Sequence, residues 1–541
     1  MGRGSTTFFS RRWRGFFSGA PGPSGCVLAA CLLLLWPAGP SLAGEMSPEH
    51  KITHVIDRLT YGPAPGDIER VRAMGVAAFI EEQLEPDALP ESRELAARLE
   101  SLGTVRLGAV DLFREYGPTP DTGGGLGPSQ VLAARDRAGV VAREAVQARL
   151  LRAMAAPGQL RELLVDFWYN HFNVDAGHGL ARIWAGAYER EAIRPHAMGR
   201  FLDLLAATAM HPAMLIYLEN WRNVAPRDDG GGDGEAISPD SDGYEAKAPD
   251  READAERTGG LDETYAGTLL AVHTLGDDAA FAARDRTALA RVFTGWRLGA
   301  PRSETDKNGF FFDQAAHDPT DKVFLGKTIP GGGIAEGAAA LRILAGHPAT
   351  AKHVCRKLAA FFLAGEPSRG LVGRLAEIFL RSEGDIRAVL RALFADPEFF
   401  DESRYAAGVK TPLRTVVSAV RAIGTPPDDV TPLAGVLARM GTPLFHCPDP
   451  AGYPGPGAFP TSRDMAARVA FAVGLVSGEL PLWREKPPGL AVEKLLSTLG
   501  TSPAPEADKP AKKGRAARTA PKTSPRRDPA AILAGPGFLR Y

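Results

Sequence analysis

The chain has 541 residues, of which 63 are Lys or Arg and 64 are Asp or Glu, so its formal net charge is −1. A chain of this length predicts one large domain or two closely packed ones. The balanced charge argues against a general nucleic-acid-binding role, which would need a strongly basic surface.

The first 43 residues resemble a secretory signal. Four arginines and no acidic residue precede an apolar run over residues 27–36. This run is too short to span a bilayer, which needs about 20 residues. Ser41 and Ala43 supply the small residues of a cleavage site. We therefore expect cleavage after Ala43 and export to the periplasm or the extracellular space.

Two other kinds of export signal are alternatives for the same residues. Ser10-Arg11-Arg12 resembles a twin-arginine signal, and Leu28-Ala29-Ala30-Cys31 resembles a lipoprotein cleavage box. Removal of residues 1–43 takes away four arginines and leaves a formal charge of −5. No later apolar run is long enough for a membrane helix, so no transmembrane span is predicted in the mature chain.

Apolar residues recur at the i, i+3, i+4 spacing of amphipathic helices through much of the chain. The predicted helices cover residues 68–84, 160–172, 201–208, 269–275, 338–344, 351–363, 371–380 and 386–394. Asp385 is placed to cap the last of them. Strand-type residues are confined to 310–312 and 323–325. We predict a mainly α fold, with one large helical domain over residues 44–541, at most a short β-hairpin, and disordered insertions.

Two segments have compositions that cannot form a core. Residues 224–260 are rich in Gly, Asp and Glu, and residues 501–529 are rich in Pro, Ala, Lys and Arg. We expect a disordered acidic insertion and a flexible basic low-complexity arm. A calcium loop around Asp228, Asp229 and Asp233 is the alternative for the first, although no ligand spacing matches. Contact with an anionic surface is the alternative for the second.

Two cysteines, Cys355 and Cys447, remain after removal of the signal. An oxidising compartment would permit one disulfide between them. The alternative is two buried free thiols. Two cysteines cannot form a structural zinc site by themselves.

Aromatic and polar residues are most concentrated in Phe167-Trp168-Tyr169-Asn170-His171-Phe172, at the end of a predicted helix. Aromatic rings bury large areas, whereas Asn and His are costly to bury without hydrogen-bond partners. Such a mixture indicates either a satisfied core junction or a functional site.

Several motifs, this one included, follow each other along the chain. They are Arg58-Leu59-Thr60-Tyr61-Gly62-Pro63, residues 167–172, residues 214–220, residues 263–276, Phe293-Thr294-Gly295-Trp296, His317-Asp318 with Lys322 and Leu325-Gly326, His347-Pro348-Ala349-Thr350-Ala351 with Lys357-Leu358, Asp449-Pro450 with Gly452-Tyr453-Pro454, and residues 534–539. The ordered set resembles the bacterial domain-of-unknown-function family 1800 (DUF 1800) over nearly all of residues 51–541.

The resemblance implies an exported, largely helical protein, but it implies no reaction because none is established for the family. Family members are commonly encoded beside a second, sulfatase-like family, DUF 1501. The resemblance therefore implies a partner, or a shared pathway, of that kind.

One stretch departs from the family's pattern. Where the family usually reads Asn-Glu-Asn-Tyr-Ala-Arg-Glu-Leu-x-Glu, this chain has Gly267, Thr268 and Ala271 in place of the arginine and the two glutamates. If those charges serve chemistry, this chain has lost it. If they form a buried ion-pair network, a neutral replacement is tolerable.

The candidate catalytic residues are Asn170, His171, Glu263, His273, His317 and Asp318. Asn170 and His171 have a structural alternative as hydrogen-bonded core residues. His273 has one as an imidazolium at a helix C-terminus, where the helix dipole favours positive charge. His317 and Asp318 fall in a predicted loop, where polar residues more often carry function.

Trp168, Trp296 and Tyr453 are candidate ligand-binding residues, because aromatic rings can stack on a sugar; burial in the core is the alternative. No histidine pair has the spacing that fixes two metal ligands on one helix, so no metal site is predicted. Phosphate-binding and nucleophile-elbow motifs do not occur either, and no cofactor is indicated.

Three hypotheses for function remain. The first is a non-catalytic exported protein that binds a partner or assembles a cell-envelope system. The second is an extracytoplasmic hydrolase acting on a polymer, and convergence of the polar candidates in one open pocket would favour it. The third is a carbohydrate-binding protein, which would need Trp168 or Trp296 to line a groove. The lost charges favour the first.

Overall fold

The computed structural model describes residues 44–117, 128–226, 260–276, 281–299, 309–455, 458–459, 461–500 and 528–541. The predicted signal lies outside the described residues, and so do most of the predicted acidic insertion and of the basic arm. Their boundaries, and that of the single domain, stay predictions.

Helices dominate the described chain, which confirms the mainly α prediction. In the first half they are α1 (Pro48–Leu59), α2 (Asp67–Met74), α3 (Val76–Leu84), α4 (Arg93–Glu100), α5 (Ala109–Tyr116), α6 (Pro128–Ala155), α7 (Gln159–His171), α8 (Ala181–Tyr188), α9 (Phe201–Ala209), α10 (Pro212–Tyr217), α11 (Thr264–Thr268) and α12 (Ala283–Val292). Two π-helical turns, Glu189–Ile193 and Leu269–Thr274, extend α8 and α11.

The second half continues in the same way. Its helices are α13 (Ile334–Ala345), α14 (Pro348–Leu363), α15 (Arg369–Arg381), α16 (Ile386–Ala395), α17 (Pro412–Ile423), α18 (Thr431–Arg439), α19 (Ser462–Ser477), α20 (Val492–Thr498), α21 (Pro529–Leu533) and α22 (Pro536–Leu539). Asp385 accepts a hydrogen bond from the backbone N–H of Ala388, so the predicted cap of α16 is confirmed.

The predicted helix over residues 68–84 is interrupted in the structure. Gly75 separates α2 from α3 with φ +90° and ψ 148°, and it flanks both helices. A positive φ is readily adopted only by glycine, so the chain can turn sharply here. The apolar spacing runs through the turn because α2 and α3 both face the same core.

Two antiparallel hairpins form, where one at most was predicted. β1 (Trp296–Leu298) pairs with β2 (Phe310–Phe312), and β3 (Lys322–Phe324) pairs with β4 (Lys327–Ile329). The two predicted strands, 310–312 and 323–325, therefore belong to different hairpins. Leu325 (φ 47°) and Gly326 (φ 74°) make the left-handed turn that folds β4 back onto β3.

Two hydrophobic clusters meet at α7. Trp168 and Phe172 belong to the larger cluster, whereas Leu163 belongs to the smaller one, together with Val416 and Phe538. The last turn of α7 therefore carries the aromatic and imidazole side chains of the central motif into the interior, whereas Asn170 is half-buried.

A buried ion-pair network holds the first π-helical turn against α6 and α7. Arg149 contacts Glu189 at 2.6 Å and Asp166 at 2.5 Å. Arg194 contacts Glu162 at 2.6 Å and Glu189 at 3.1 Å. Each buried carboxylate thus has a guanidinium partner, as burial of charge requires.

Cys355 and Cys447 are both buried free thiols, so the disulfide alternative is wrong. Cys355 lies inside the core-facing side of α14, where burial raises its pKa. None of the described helices is long and apolar enough to cross a membrane.

Candidate functional site

His171, His273 and Lys357 come together where the end of α7 meets the second π-helical turn and α14. The Nε2 atom of His171 lies 3.0 Å from the carbonyl oxygen of His273, to which it must donate. Its Nδ1 atom is then an acceptor, and it accepts a hydrogen bond of 2.8 Å from Nζ of Lys357. The three residues come from segments distant in sequence, and we call them the His–Lys cluster.

Burial determines the protonation states in the His–Lys cluster. Burial, followed by the charge of Lys357, lowers the pKa of His171 well below its ordinary value and that of His273 to about 3. Burial also lowers the pKa of Lys357 to about 8. Both imidazoles are therefore neutral at neutral pH, and the expected imidazolium of His273 is wrong. The helix dipole cannot compensate for the lost hydration of a fully buried ring.

A fourth basic side chain, His353, lies beside the cluster on α14. Its ring centroid is 6.0 Å from that of His171, and its Nε2 atom lies 3.0 Å from the carbonyl oxygen of Val272. The Nε2 atom of His273 is buried and has no hydrogen-bond partner among the described residues.

The π-helical turn explains how the consecutive carbonyl groups of Val272 and His273 face His353 and His171. The N–H groups of Leu275 and Gly276 both donate to the carbonyl of Leu270, which widens the turn. Gly276 has φ +85°, and a Cβ there would lie 2.7 Å from Nδ1 of His353. Single π-helical turns occur frequently at functional sites.

Asn170 holds a distant loop. Its Oδ1 accepts from the N–H of Tyr453 at 2.7 Å, and its Nδ2 donates to the carbonyl of Tyr453 at 3.0 Å. Asn173 donates in the same way to the carbonyls of Cys447 and Asp449, each at 2.8 Å. Both amides thus bind backbone, which supports the structural interpretation of Asn170.

Tyr453 is half-buried, and its hydroxyl lies 2.9 Å from the carbonyl oxygen of Pro443, to which it can donate. A Cβ at the neighbouring Gly452 would lie 2.1 Å from the carbonyl oxygen of Asn170. Only a glycine therefore permits this close approach of the loop to α7.

His317 and Asp318 belong to a second, separate buried cluster. Nδ1 of His317 lies 2.8 Å from the carbonyl oxygen of Thr294, and Nε2 lies 2.9 Å from Oε1 of Glu336. The other oxygen of Glu336 accepts from Nζ of Lys322 at 2.6 Å. Burial opposes ionisation of Glu336, but the hydrogen bonds from His317 and Lys322 prevail and its pKa is lowered.

Asp318 ties the same loop to α12. Its Oδ2 accepts from Nε of Arg291 at 2.6 Å, and its Oδ1 accepts from the hydroxyl and the N–H of Thr320. Burial opposes ionisation, yet the hydrogen bonds from Arg291 and Thr320 hold the pKa of Asp318 well below its ordinary value. No hydrogen bond or ion pair joins this cluster to the His–Lys cluster within the described ranges.

Glu263 occupies a third place, at the start of α11. It accepts from Nε of Arg286 at 2.7 Å and from the hydroxyl of Thr287 at 2.5 Å. A Cβ at Gly267 would lie 3.3 Å from Cδ of the same arginine. Gly267, which stands where the family has an arginine, therefore lies beside Arg286, and the guanidinium of Arg286 is paired with Glu263.

The two tryptophan candidates are buried. Trp168 is enclosed, and its Nε1 donates to the carbonyl of Ala197 at 2.9 Å. Trp296 packs edge-on against Phe293, and a Cβ at Gly337 would lie 2.2 Å from its ring. Neither ring faces a groove.

Within the described part of the chain, no group of three or more His, Cys, Asp or Glu is arranged to hold a metal ion. The chain is thus an α-helical protein whose polar motif residues mainly join segments, and the His–Lys cluster joins α7, the second π-helical turn and α14. The family described as "Protein of unknown function (DUF1800)" matches residues 54–540, so the chain belongs to this family and the resemblance is confirmed. No curated protein and no solved structure matches it.

Sequence reasoning missed the partners of the histidines. Lys357 entered only as part of a motif, and His353 and Glu336 were not singled out. The spacing of four between His353 and Lys357 places both on one face of a helix, and this pattern could have drawn attention to α14. No local pattern links Glu336 to His317.

Proposed function

We propose that this protein is an exported helical component of a cell-envelope system that binds a partner and turns over no substrate. The dispersal of the candidate residues carries the proposal. His171 with His273, His317 with Asp318, and Glu263 lie in three separate places. A catalytic centre would need such groups to converge within hydrogen-bond reach of one reacting atom.

The hydrogen bonds that the polar side chains make within the protein support the same proposal. The amide of Asn170 is bound to the Tyr453 backbone, and the carboxylate of Asp318 to Arg291 and Thr320. Side chains held in this way keep loops and helices in register and present a rigid surface. Rigid surfaces bind partners with little loss of conformational entropy.

The partner that we propose is a sulfatase-like protein of the family DUF 1501. The purified mature chain and that protein are mixed and analysed by sedimentation velocity. We expect one faster complex. Separate sedimentation of the two proteins at all concentrations would contradict the proposed partner.

Export is tested independently. The full chain is expressed with residues 1–43, and the exported product is sequenced from its N-terminus. We expect it to begin at Gly44, after the Ser41-x-Ala43 site. A product that begins with an acylated Cys31, or one that stays in the cytoplasm, would contradict this assignment.

The Lys357–His171 contact favours a second candidate, an extracytoplasmic hydrolase acting on a polymer. An amine whose pKa is about 8 is close to the range in which a base accepts and returns protons. Lys357→Met should then abolish hydrolysis of envelope polymers while His446→Ala keeps it. The absence of turnover by the wild type on these polymers would dismiss this candidate. The burial of both tryptophans weighs against a carbohydrate-binding protein.

A further inference from the structure

A group of four buried cations lies apart from the His–Lys cluster, and we call it the cation cluster. Arg58 comes from α1, Lys410 lies just before α17, Arg414 lies in the first turn of α17, and Arg468 comes from α19. Their side chains are between 0% and 4% exposed. Burial of a charge is costly unless a partner of opposite charge is buried with it.

The direct partners of these cations are almost all neutral. Arg58 donates from Nη2 to the carbonyl of Arg404 at 2.6 Å. Lys410 donates to the hydroxyl of Ser418 at 2.8 Å, and Arg414 to the carbonyl of Thr60 at 3.4 Å.

Arg468 alone has a charged partner. It donates from Nε to the carboxylate of Asp464 at 2.7 Å, and from Nη1 to the hydroxyl of Thr415. One further carboxylate, that of Asp57, interacts with the charges of Lys410, Arg58 and Arg414. Burial raises the pKa of Asp57. Among the described residues, the carboxylates that interact with these four cations are those of Asp57 and Asp464.

Several donors in the cation cluster have nothing to donate to. The Nε and Nη1 atoms of Arg58 and the Nη2 atom of Arg468 are buried and lack a hydrogen-bond partner among the described residues. A buried donor left unsatisfied costs about 1–3 kcal/mol, and more when it is charged. The cluster contains one unpartnered buried acceptor, Oδ1 of Asp464, against these three donors, so the donors outnumber it and indicate a further acceptor from outside the chain.

Aromatic rings cover the cations on another side. The guanidinium carbons of Arg58 and Arg414 lie 4.6 Å and 4.0 Å from the ring centroid of Tyr541, and Nζ of Lys410 lies 4.0 Å from that of Phe538. A ring face attracts a cation but accepts no hydrogen bond in the guanidinium plane. The in-plane N–H groups at Nε and Nη1 of Arg58 and at Nη2 of Arg468 stay available.

We propose that the cation cluster is a buried binding site for a tetrahedral dianion, inorganic phosphate or sulfate. Two negative charges balance the excess of cations over Asp57 and Asp464. The oxygens of a tetrahedral anion suit the fork of N–H donors that guanidinium groups present. The cations are too deeply buried for the headgroup of a lipid in a membrane, so the ligand is a free ion.

This site has a structural role that is independent of the proposed function. It joins α1, α17, α19 and the segment that contains Phe538 and Tyr541. Mutual repulsion opposes this junction when the ion is absent, since Arg414 and Arg468 both disfavour the charged form of Lys410, whose pKa is lowered to about 8, mainly by burial. The ion should therefore bind to the folded chain and stabilise it.

The test uses the full chain as purified in a phosphate- and sulfate-free chloride buffer. Equilibrium dialysis with radiolabelled inorganic phosphate should give one bound ion per chain, and sulfate should displace it. Phosphate should also raise the Tm above that measured in chloride of equal ionic strength. A stoichiometry near zero, with no change in Tm, would overturn the proposal.

Lys410→Met separates a specific site from general screening. The variant lacks one of the four buried positive charges, which outnumber the carboxylates. Its Tm in chloride should therefore be higher than that of the wild type. Its phosphate affinity should fall about tenfold or more, as expected for a charge-assisted hydrogen bond. Arg439→Met removes an exposed charge from α18 and should behave as the wild type.

Equal phosphate binding by Lys410→Met and Arg439→Met would overturn the proposal. If Lys410→Met fails to fold, the wild type still decides. Its stoichiometry for inorganic phosphate is then measured by isothermal titration, starting from the phosphate-free protein in the same chloride buffer. One equivalent of phosphate supports the site, and less than a tenth of an equivalent refutes it.

Discussion

Nζ of Lys357 donates a hydrogen bond of 2.8 Å to Nδ1 of His171, so an amine on α14 fixes the tautomer of an imidazole on α7. The other nitrogen of the same ring is bound to the carbonyl of His273. One side chain thus links three segments, and its loss leaves two groups without a partner.

Replacement of His171 by alanine should lower the free energy of unfolding. The change leaves the carbonyl of His273 and the amine of Lys357 without their partner, which costs roughly 1–3 kcal/mol. Chemical denaturation of the wild type and of His171→Ala measures the difference. His446→Ala, at an exposed histidine, is the control and should have no effect. An unchanged midpoint for His171→Ala would instead favour a functional role for this ring.

The stability of the wild type should rise between pH 8 and 10.5, in part because of Lys357. Its pKa is about 8 in the folded chain, against an ordinary value of 10.5. Below pH 8 the folded chain bears the full cost of the buried charge. As the pH rises through 8, the folded chain releases this proton before the unfolded chain does, so the cost falls by up to roughly 1.4 kcal/mol per pH unit.

Lys357→Met isolates this contribution. Denaturation at several pH values should show a smaller rise for the variant than for the wild type. Lys410 also has a pKa of about 8, so part of the rise should persist in Lys357→Met and disappear in the double variant with Lys410→Met. Parallel curves for the wild type and Lys357→Met would show that Lys357 titrates normally.

Gly276→Ala should destabilise the protein by more than about 1 kcal/mol, because φ is +85° and the new Cβ would lie 2.7 Å from Nδ1 of His353. Gly373→Ala is a matched control in α15. A Cβ there meets nothing within 4 Å, so alanine should stabilise the helix by up to about 1 kcal/mol. Thermal unfolding distinguishes the two, and equal shifts would contradict the left-handed conformation of Gly276.

Glu189→Gln should be strongly destabilising, by about 3–5 kcal/mol, because it leaves Arg149 and Arg194 buried with too little negative charge. Glu81→Gln breaks an exposed pair with Arg391, and such pairs contribute about 0–1 kcal/mol. Urea denaturation of both variants gives the comparison. A small effect at Glu189 would mean that water reaches the network.

The sequence predicts those features that depend on neighbouring residues. The apolar spacing of α14 and α16 and the cap at Asp385 are local, and the structure confirms them. The break at Gly75 was not predicted, because the apolar spacing continues from α2 to α3 across the turn. The hairpin partners were missed since each strand has only three residues, too few for a periodic pattern.

The candidate sites depend on distant residues, and this is where prediction from the sequence fails. His171 was found from its composition, but its partner Lys357 lies 186 positions away. Trp168 was a plausible stacking residue until its burial was known. The cation cluster could not be predicted, because Arg58 and Tyr541 are brought together only by the complete fold.

The two hydrogen bonds between Asn170 and the backbone of Tyr453 also affect the order in which the protein can fold. The two residues are 283 positions apart, so α7 must leave the ribosome long before its loop exists. Until then the amide of Asn170 and the side of Tyr169 that packs on Phe445 have no cover, and such intermediates are prone to aggregation. In a nascent chain, this surface of α7 therefore stays exposed until synthesis reaches the Tyr453 loop.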